Sequence, residues 1–184
     1  MRLVILYIEK ENEFKELYKS DASKPKEFIK DVQIDTDFEL LFPDNYINSI
    51  SERLSLYNEL SSTKSSDELL DFEKRLIDRF GELPVQAIDL LDSVRLKWLA
   101  KEIGLEKVVL KQKRMIGYFI SDQQSEFYQT EAFTKVLKYV QQNPTTSVMK
   151  EKQTKVGLRL LITFIKIDSV EIALKRLQKV LGYL

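Results

Sequence analysis

The amino-acid sequence predicts an α+β fold in which a mostly antiparallel sheet packs against several helices. Apolar residues first alternate over one strand-length segment and then recur with helical spacing over longer stretches. After Gly104 the alternation returns in several segments, interrupted by one helical stretch and followed by another. Strands and helices clustered in this way are typical of α+β domains. We therefore expect a single compact domain at residues 32–184, with an N-terminal linker at residues 1–31.

The predicted linker is rich in charge and poor in periodic pattern. Residues 9–31 contain one proline and only short runs of helical spacing, which favours a partly helical or disordered tether. The apolar run at residues 3–8 is too short to cross a membrane, and no small-residue cleavage site follows it. The chain has no cysteine, which fits a reducing compartment. We therefore expect a cytoplasmic location without membrane insertion.

The first strand of the domain is expected at residues 32–40, with Pro43 closing it. Apolar residues and threonine occupy every second position there, and polar or acidic residues lie between them. The apolar set is Val32, Ile34, Thr36, Phe38 and Leu40, and the polar set is Gln33, Asp35, Asp37 and Glu39.

Three helices are predicted to follow. The first two, at residues 50–62 and from Ser65 to about Phe80, each begin with a capping-box pattern, Ser49 with Glu52 and Ser65 with Glu68. The third runs from Pro84, which suits a first helical position, to Gly104, which suits a C-terminal cap. Apolar residues occupy most of the circumference of this helix, so we expect it at the centre of the core.

The rest of the domain reads as two strand pairs and two helices. Strands are expected at 107–112, 115–121, 147–153 and 156–167, with a short helix at 132–142 that Asn143 and Pro144 end. The last helix is expected from Asp168 to Leu181, with Asp168 and Glu171 as its capping pair.

Composition excludes several kinds of enzyme. The chain has no histidine and no cysteine, which excludes Ser-His-Asp and Cys-His catalysis and His- or Cys-ligated zinc. Its five glycines are scattered singly, so no glycine-rich phosphate loop is present. Asp35, Asp37 and Glu39 would share one face of a strand, and carboxylates of this kind can bind magnesium, but a solvated strand face is the favoured interpretation. We predict no catalytic residue, no metal and no cofactor in this chain.

The zero net charge hides a division of charge along the chain. Residues 1–92 hold 12 basic and 21 acidic side chains, and residues 93–184 hold 17 and 8. A basic tract at residues 150–160 and a cluster of Lys175, Arg176 and Lys179 lie in the second half, which also contains several aromatic residues. An alternative function is therefore a nucleic-acid-binding accessory module that uses the basic C-terminal half.

The second predicted helix has two distinct sides. At 100° per residue its apolar residues gather on one side, and its aspartates cluster opposite with Lys74 beside them. The apolar set is Leu69, Phe72, Leu76, Ile77 and Phe80, and the aspartates are Asp67, Asp71 and Asp78. Glu73 falls inside the apolar arc, so we expect it at the edge of the arc or paired with a basic residue.

The motif "LIDRFGELP", between "PDNYINSISERLSLY" and "LLDSVRLKWLAKEIG", resembles the C-terminal domain of bacterial transcription-repair coupling factors, also called Mfd. The resemblance covers residues 32–184 and is strongest at 38–108. Such a factor is a DNA translocase that displaces stalled RNA polymerase and recruits UvrA. ATP and magnesium serve its motor domains, whose motifs this chain lacks.

The resemblance implies a regulatory, non-enzymatic role for this chain. The domain would dock on the UvrB-like N-terminal module of its own parent protein and mask the surface that binds UvrA. UvrA, stalled RNA polymerase and DNA would then be indirect partners. In the family, acidic positions on the helix that ends in "DRFG" pair with arginines of that module. Asp78 keeps such an acid, while the position one turn earlier is Arg75, so the predicted partner-binding residues are Asp71, Lys74, Arg75 and Asp78.

Overall fold

The computed structural model describes residues 27–154 and 157–184, which form five strands, five α-helices and one 3₁₀ turn. The strands are β1 (Gln33–Thr36), β2 (Leu105–Lys111), β3 (Arg114–Phe119), β4 (Ser147–Thr154) and β5 (Gly157–Ile165). The helices are α1 (Ile50–Ser62), α2 (Ser66–Phe80), α3 (Val85–Glu102), α4 (Glu131–Gln142) and α5 (Val170–Leu181), and the 3₁₀ turn is Glu126–Gln129. Within the described residues no helix combines the length and apolar character of a membrane span.

The strands form one mixed sheet in the order β1-β2-β3-β5-β4. Only the β1–β2 pair is parallel, and the three other pairs are antiparallel. The parallel pair joins a strand that precedes the helices to one that follows them, so the α1–α3 segment forms the crossover. The predicted α+β fold with a mostly antiparallel sheet is confirmed.

Strand β1 is shorter than the predicted 32–40 segment. The Thr36 hydroxyl donates to the Leu110 carbonyl at 3.0 Å and accepts from the Phe38 amide at 3.1 Å. The Thr36 hydroxyl thus shares the Leu110 carbonyl with the Asp37 amide, which lies 3.4 Å from it, and the chain turns away after Thr36. Asp37 and Glu39 consequently lie outside the strand.

Two of the predicted helix starts are confirmed, and two differ. Ser49 and Ser65 accept hydrogen bonds from the third residue of their helices, as capping boxes require. The predicted cap Asp168 is wrong, because the adjacent Ser169 hydroxyl accepts from the Ile172 amide instead. Pro84 is the N-cap residue of α3 and not its first helical residue.

Helix α3 lies between two hydrophobic cores and contributes to both. The sheet core contains the inner side chains of the strands together with Leu96 and Ala100 of α3. The helical core contains Ala87 and Leu91 of α3 with the apolar sides of α1 and α2. The other buried members of the helical core are Phe42, Ile47, Leu56, Leu60, Leu69, Phe72 and Leu76. The central position predicted for this helix is confirmed.

Residues 27–31, which the prediction assigned to the linker, contact the sheet core. Ile29 is buried, and the ring of Phe28 packs edge-on against Phe127 with centroids 5.8 Å apart. The packed body therefore extends at least to residue 28. The rest of the predicted linker, residues 1–26, lies outside the described residues.

A charged network links α2 to α3 at the edge of the helical core. Arg95 donates to Glu73 at 2.6 Å and to Asp92 at 2.8 Å. This confirms that Glu73 pairs with a basic neighbour. Burial raises the pKa of the Asp92 carboxyl, the bond from Arg95 opposes that rise, and Glu73 and Glu171 add repulsion.

We predict that Gly104→Ala destabilises the protein by about 2 kcal/mol or more, because an added Cβ suffers both a left-handed backbone and a steric clash. Gly104 has φ +83°, and a Cβ there would lie 2.2 Å from the Phe127 ring. Urea unfolding measures the loss. Gly182→Ala is the matched control, because Gly182 has φ +80° and nothing within 4 Å of the added Cβ. Equal losses in the two variants would show that the contact with Phe127 contributes nothing.

We predict that the wild type becomes less stable relative to the Asp92→Asn variant as the pH rises above about 4, the ordinary pKa of a carboxyl group. The pKa of Asp92 is raised in the folded protein, so folding favours the protonated form. That contribution is present below the unfolded pKa and lost as the pH rises through the folded value. Urea unfolding at several pH values between about 4 and 7 measures the difference.

Asp35→Asn is the comparison variant for this prediction. The hydrogen bond from Lys111 lowers the pKa of Asp35, so the wild type should lose stability relative to that variant as the pH falls. The same trend with pH in both variants would contradict the assignment of Asp92.

Candidate functional site

The four predicted partner-binding residues all lie on α2 and are all exposed. Asp71 and Lys74 form an ion pair of 3.4 Å with both side chains 66% exposed. Such a pair contributes only about 0.2–0.5 kcal/mol on a helix surface and is easily exchanged for another partner. Within the described residues Asp78 takes part in no ion pair. Asp78 is therefore available to a cation from outside the domain.

The arginines of α2 are paired with carboxylates of α1, although both side chains remain about half exposed. Arg75 pairs with Glu59, and Arg79 pairs with Glu52. The guanidinium of Arg79 also lies 4.8 Å from the centroid of the Phe80 ring. These cross-helix contacts turn both positive charges toward α1. The two pairs depend on how α1 and α2 cross, so the sequence of one helix could not have indicated them.

The outward side of α2 therefore keeps a negative balance. Asp67, Asp71 and Asp78 lie within about 40° of one another around the helix axis. Lys74 is the one cation beside them that α1 does not engage within the described residues. We call the surface formed by Asp67, Leu70, Asp71, Lys74, Ile77 and Asp78 the acidic face of α2.

Two apolar side chains on this face were not expected there. Ile77 was predicted to be buried, but it is 46% exposed, as is Leu70. The buried arc of α2 is narrow, because Leu69, Phe72 and Leu76 already fill the helical core at 1% exposure or less. Ile77 lies about 100° from Leu76 and is left outside. An apolar centre bordered by a polar rim is a common composition of protein-binding surfaces.

The acidic residues near β1 do not converge. Asp35 pairs with Lys111 at 2.6 Å, Asp37 accepts from the Gln112 amide at 3.2 Å, and Glu39 accepts from Gln86 at 3.4 Å. Each carboxylate thus has a different partner. In the part of the chain that the structure describes, no group of three or more acidic side chains is placed to hold a metal ion.

A groove of about 330 Å³ separates α4 from the edge strand β4. Leu137, Val140, Met149 and Leu160 supply most of its apolar wall. Lys150 and Glu151 are the charged residues that line it. This lining offers mainly apolar contact, without a nucleophile next to a base, because the register places the Lys150 side chain on the opposite face of the sheet.

Residues 36–130, just over half of the chain, match the family model for the TRCF domain. The chain is 41% identical over 73 residues to the transcription-repair-coupling factor of Escherichia coli, an overlap of 40% of this chain and 6% of that protein. It is 27% identical over 157 residues to the factor of Staphylococcus aureus, an overlap of 80% of this chain and 13% of that protein. The matched part is thus a small fraction of each relative's length.

A crystal structure of the C-terminal domain of transcription-repair coupling factor has the same fold. It superposes with a TM-score of 0.59 at 16% sequence identity and covers 83% of this chain and 96% of that one. At this identity the comparison establishes the fold, while the family model establishes the family. The chain therefore belongs to the TRCF domain family, the family of the C-terminal domain of transcription-repair coupling factors.

Proposed function

We propose that this domain is a non-catalytic, autoinhibitory docking module of a transcription-repair coupling factor. The acidic face of α2 would bind the UvrB-like N-terminal module of the same parent protein and mask its UvrA-binding surface. The observation that carries the proposal is that α1 holds Arg75 and Arg79, which leaves Asp71 and Asp78 beside exposed apolar side chains. That surface fits a partner with arginines around an apolar patch.

The position of Arg75 removes a difficulty for this proposal. The family pattern has an acid one turn before Asp78, and an outward arginine there would repel a basic partner. Because Glu59 of α1 binds the guanidinium, the charge of Arg75 is compensated within the domain. The negative potential at Asp71 and Asp78 can then steer a basic surface toward α2.

Docking within one protein does not need high intrinsic affinity. A tethered domain meets its site at an effective concentration in the millimolar range, so a weak interface is sufficient for closure and still permits release. The few contacts that the acidic face of α2 can supply suit such a reversible switch. Release would expose the N-terminal module to UvrA once the parent has engaged stalled RNA polymerase.

The chemistry of the parent factor would reside outside this chain. The sequence contains no histidine, no cysteine and no glycine-rich phosphate loop. ATP, magnesium and DNA would therefore be bound by the motor domains of the parent. The absence of cysteine fits the reducing cytoplasm, where we expect the parent to act.

We predict that Asp78→Lys weakens binding of this chain to the isolated N-terminal module at least tenfold, about 1.4 kcal/mol. The substitution replaces the exposed acid with a charge that repels the proposed arginines. Titration calorimetry in trans, at about 50 mM and 200 mM salt, measures the affinity and its salt dependence. Charge-driven docking should weaken at the higher salt concentration.

Glu151→Lys is the matched control, because it makes the same charge change at an exposed residue of β4. It should leave the affinity for the N-terminal module within about twofold. Equal weakening by the two variants, or no binding by the wild type at the lower salt concentration, would count against docking through α2.

We predict that deleting this domain from the parent factor raises both UvrA binding and the rate of ATP hydrolysis. Deletion removes the proposed mask of the UvrA-binding surface, and it also removes the restraint that we propose the docked domain places on the motor of the parent. Pull-down of UvrA and a steady-state ATPase assay, with and without the domain, measure the two effects. A parent that is unchanged in both assays would disprove the autoinhibitory role.

A further inference from the structure

The sheet has one face that no described helix covers. Val108, Met115 and Phe119 point inward and are buried in the sheet core. The alternate residues Val109 and Ile116 are half-buried and belong to neither core. We call this outer surface of the sheet the open sheet face. Its members are Gln33, Asp35, Lys107, Val109, Lys111, Arg114, Ile116, Tyr118, Val148, Lys150, Lys152, Arg159, Leu161, Thr163 and Ile165.

The open sheet face has an excess of positive charge that the described residues do not compensate. Arg114, Lys150 and Lys152 are exposed, and none of them forms an ion pair within the described residues. The acids on or beside the face are already engaged, Asp35 by Lys111 and Glu106 by Arg159.

The helical half of the domain differs from the open sheet face, because its arginines are neutralised by carboxylates. There, each arginine has a carboxylate partner: Arg53 with Asp44, Arg75 with Glu59, Arg79 with Glu52, and Arg95 with Glu73 and Asp92. In the part of the chain that the structure describes, Arg114, Lys150 and Lys152 of the open sheet face have no such partner. The positive surplus of the second half of the chain is therefore concentrated here and is available to an external anion.

One row of residues crosses the sheet in an order that suits a nucleic-acid strand. Register places Lys107, Tyr118, Leu161 and Lys150 side by side on β2, β3, β5 and β4. The two lysines are three strand spacings apart, about 14 Å. Tyr118 lies between them on the central strand, with the Arg159 guanidinium 5.9 Å from its ring centroid. Phosphates can reach the lysines while a base stacks on the ring.

We propose that the open sheet face binds single-stranded nucleic acid, with Lys107, Arg114, Lys150 and Lys152 contacting phosphates and Tyr118 stacking on a base. This site is independent of the acidic face of α2. A second copy of the chain is a poor occupant, because sheet-to-sheet packing would bring these cations together. An acidic protein would satisfy the charges but would give the Tyr118–lysine row no particular role.

The test uses the full 184-residue chain and a fluorescein-labelled oligo(dT) of roughly 12 nucleotides, within the usual site size of such proteins. Fluorescence polarisation from about 50 mM to 200 mM salt gives the affinity and its salt dependence. We expect binding that weakens steeply with salt. The double variant Lys150→Gln/Lys152→Gln should lower the affinity roughly tenfold. It should also reduce the slope of log affinity against log salt concentration by about 1.4, because each lost phosphate contact removes about 0.7. Tyr118→Leu should lower affinity roughly fivefold with the salt slope retained.

Lys64→Gln/Lys138→Gln removes the same number of charges from exposed positions outside the open sheet face and is the matched control. Its affinity for oligo(dT) should stay within about twofold of the wild type. Three outcomes would overturn the proposal: no binding at the lower salt concentration, equal loss in the control, or binding of poly-L-glutamate without binding of oligo(dT). The last outcome would assign the open sheet face to an acidic protein.

Discussion

The burial of α3 on two opposite sides is the constraint on which the rest of the structure depends. Ala87 and Leu91 close the helical core, and Leu96 and Ala100 close the sheet core, all at 1% exposure or less. The alanines allow neighbouring elements to approach closely, so larger side chains there would separate α1 and α2 from the sheet. Arg95 lies between these two pairs and connects α3 to Glu73 of α2. The orientation of the acidic face of α2 relative to the sheet is therefore fixed through α3.

Local chemistry explains which features could be predicted from the sequence. Ser49 and Ser65 were correctly assigned because a capping box depends on residues within one turn. Asp168 was misassigned because Ser169 offers an equally suitable oxygen one residue later, and Lys113 binds the aspartate at 3.1 Å. The exposure of Ile77 depends on the width of the helical core, which periodicity does not measure. The pairs that hold Arg75 and Arg79 depend on the crossing of α1 and α2.

The division of charge along the chain is also present in the folded structure, but a different structural feature produces it in each half. In the helical half, pairing between neighbouring helices neutralises Arg75 and Arg79, which stay about half exposed, and leaves a negative balance on the acidic face of α2. In the sheet half, alternation along the strands sends apolar residues inward and cations outward. Charges scattered along the sequence thus become two surfaces of opposite sign. The near-zero net charge conceals both surfaces.

These two surfaces are expected to act independently as far as electrostatics is concerned. Helix α3 lies between the sheet core and the helical core to which α2 belongs, so a helix layer about 10 Å thick separates the open sheet face from α2. The Debye length at physiological salt is about 8 Å, so direct effects between exposed charges on the two surfaces are largely screened. Any coupling would require movement of α3, because a ligand at one site can affect another only through states that differ in affinity. Since α3 is tightly packed on both sides, such movement would have to disturb both cores at once.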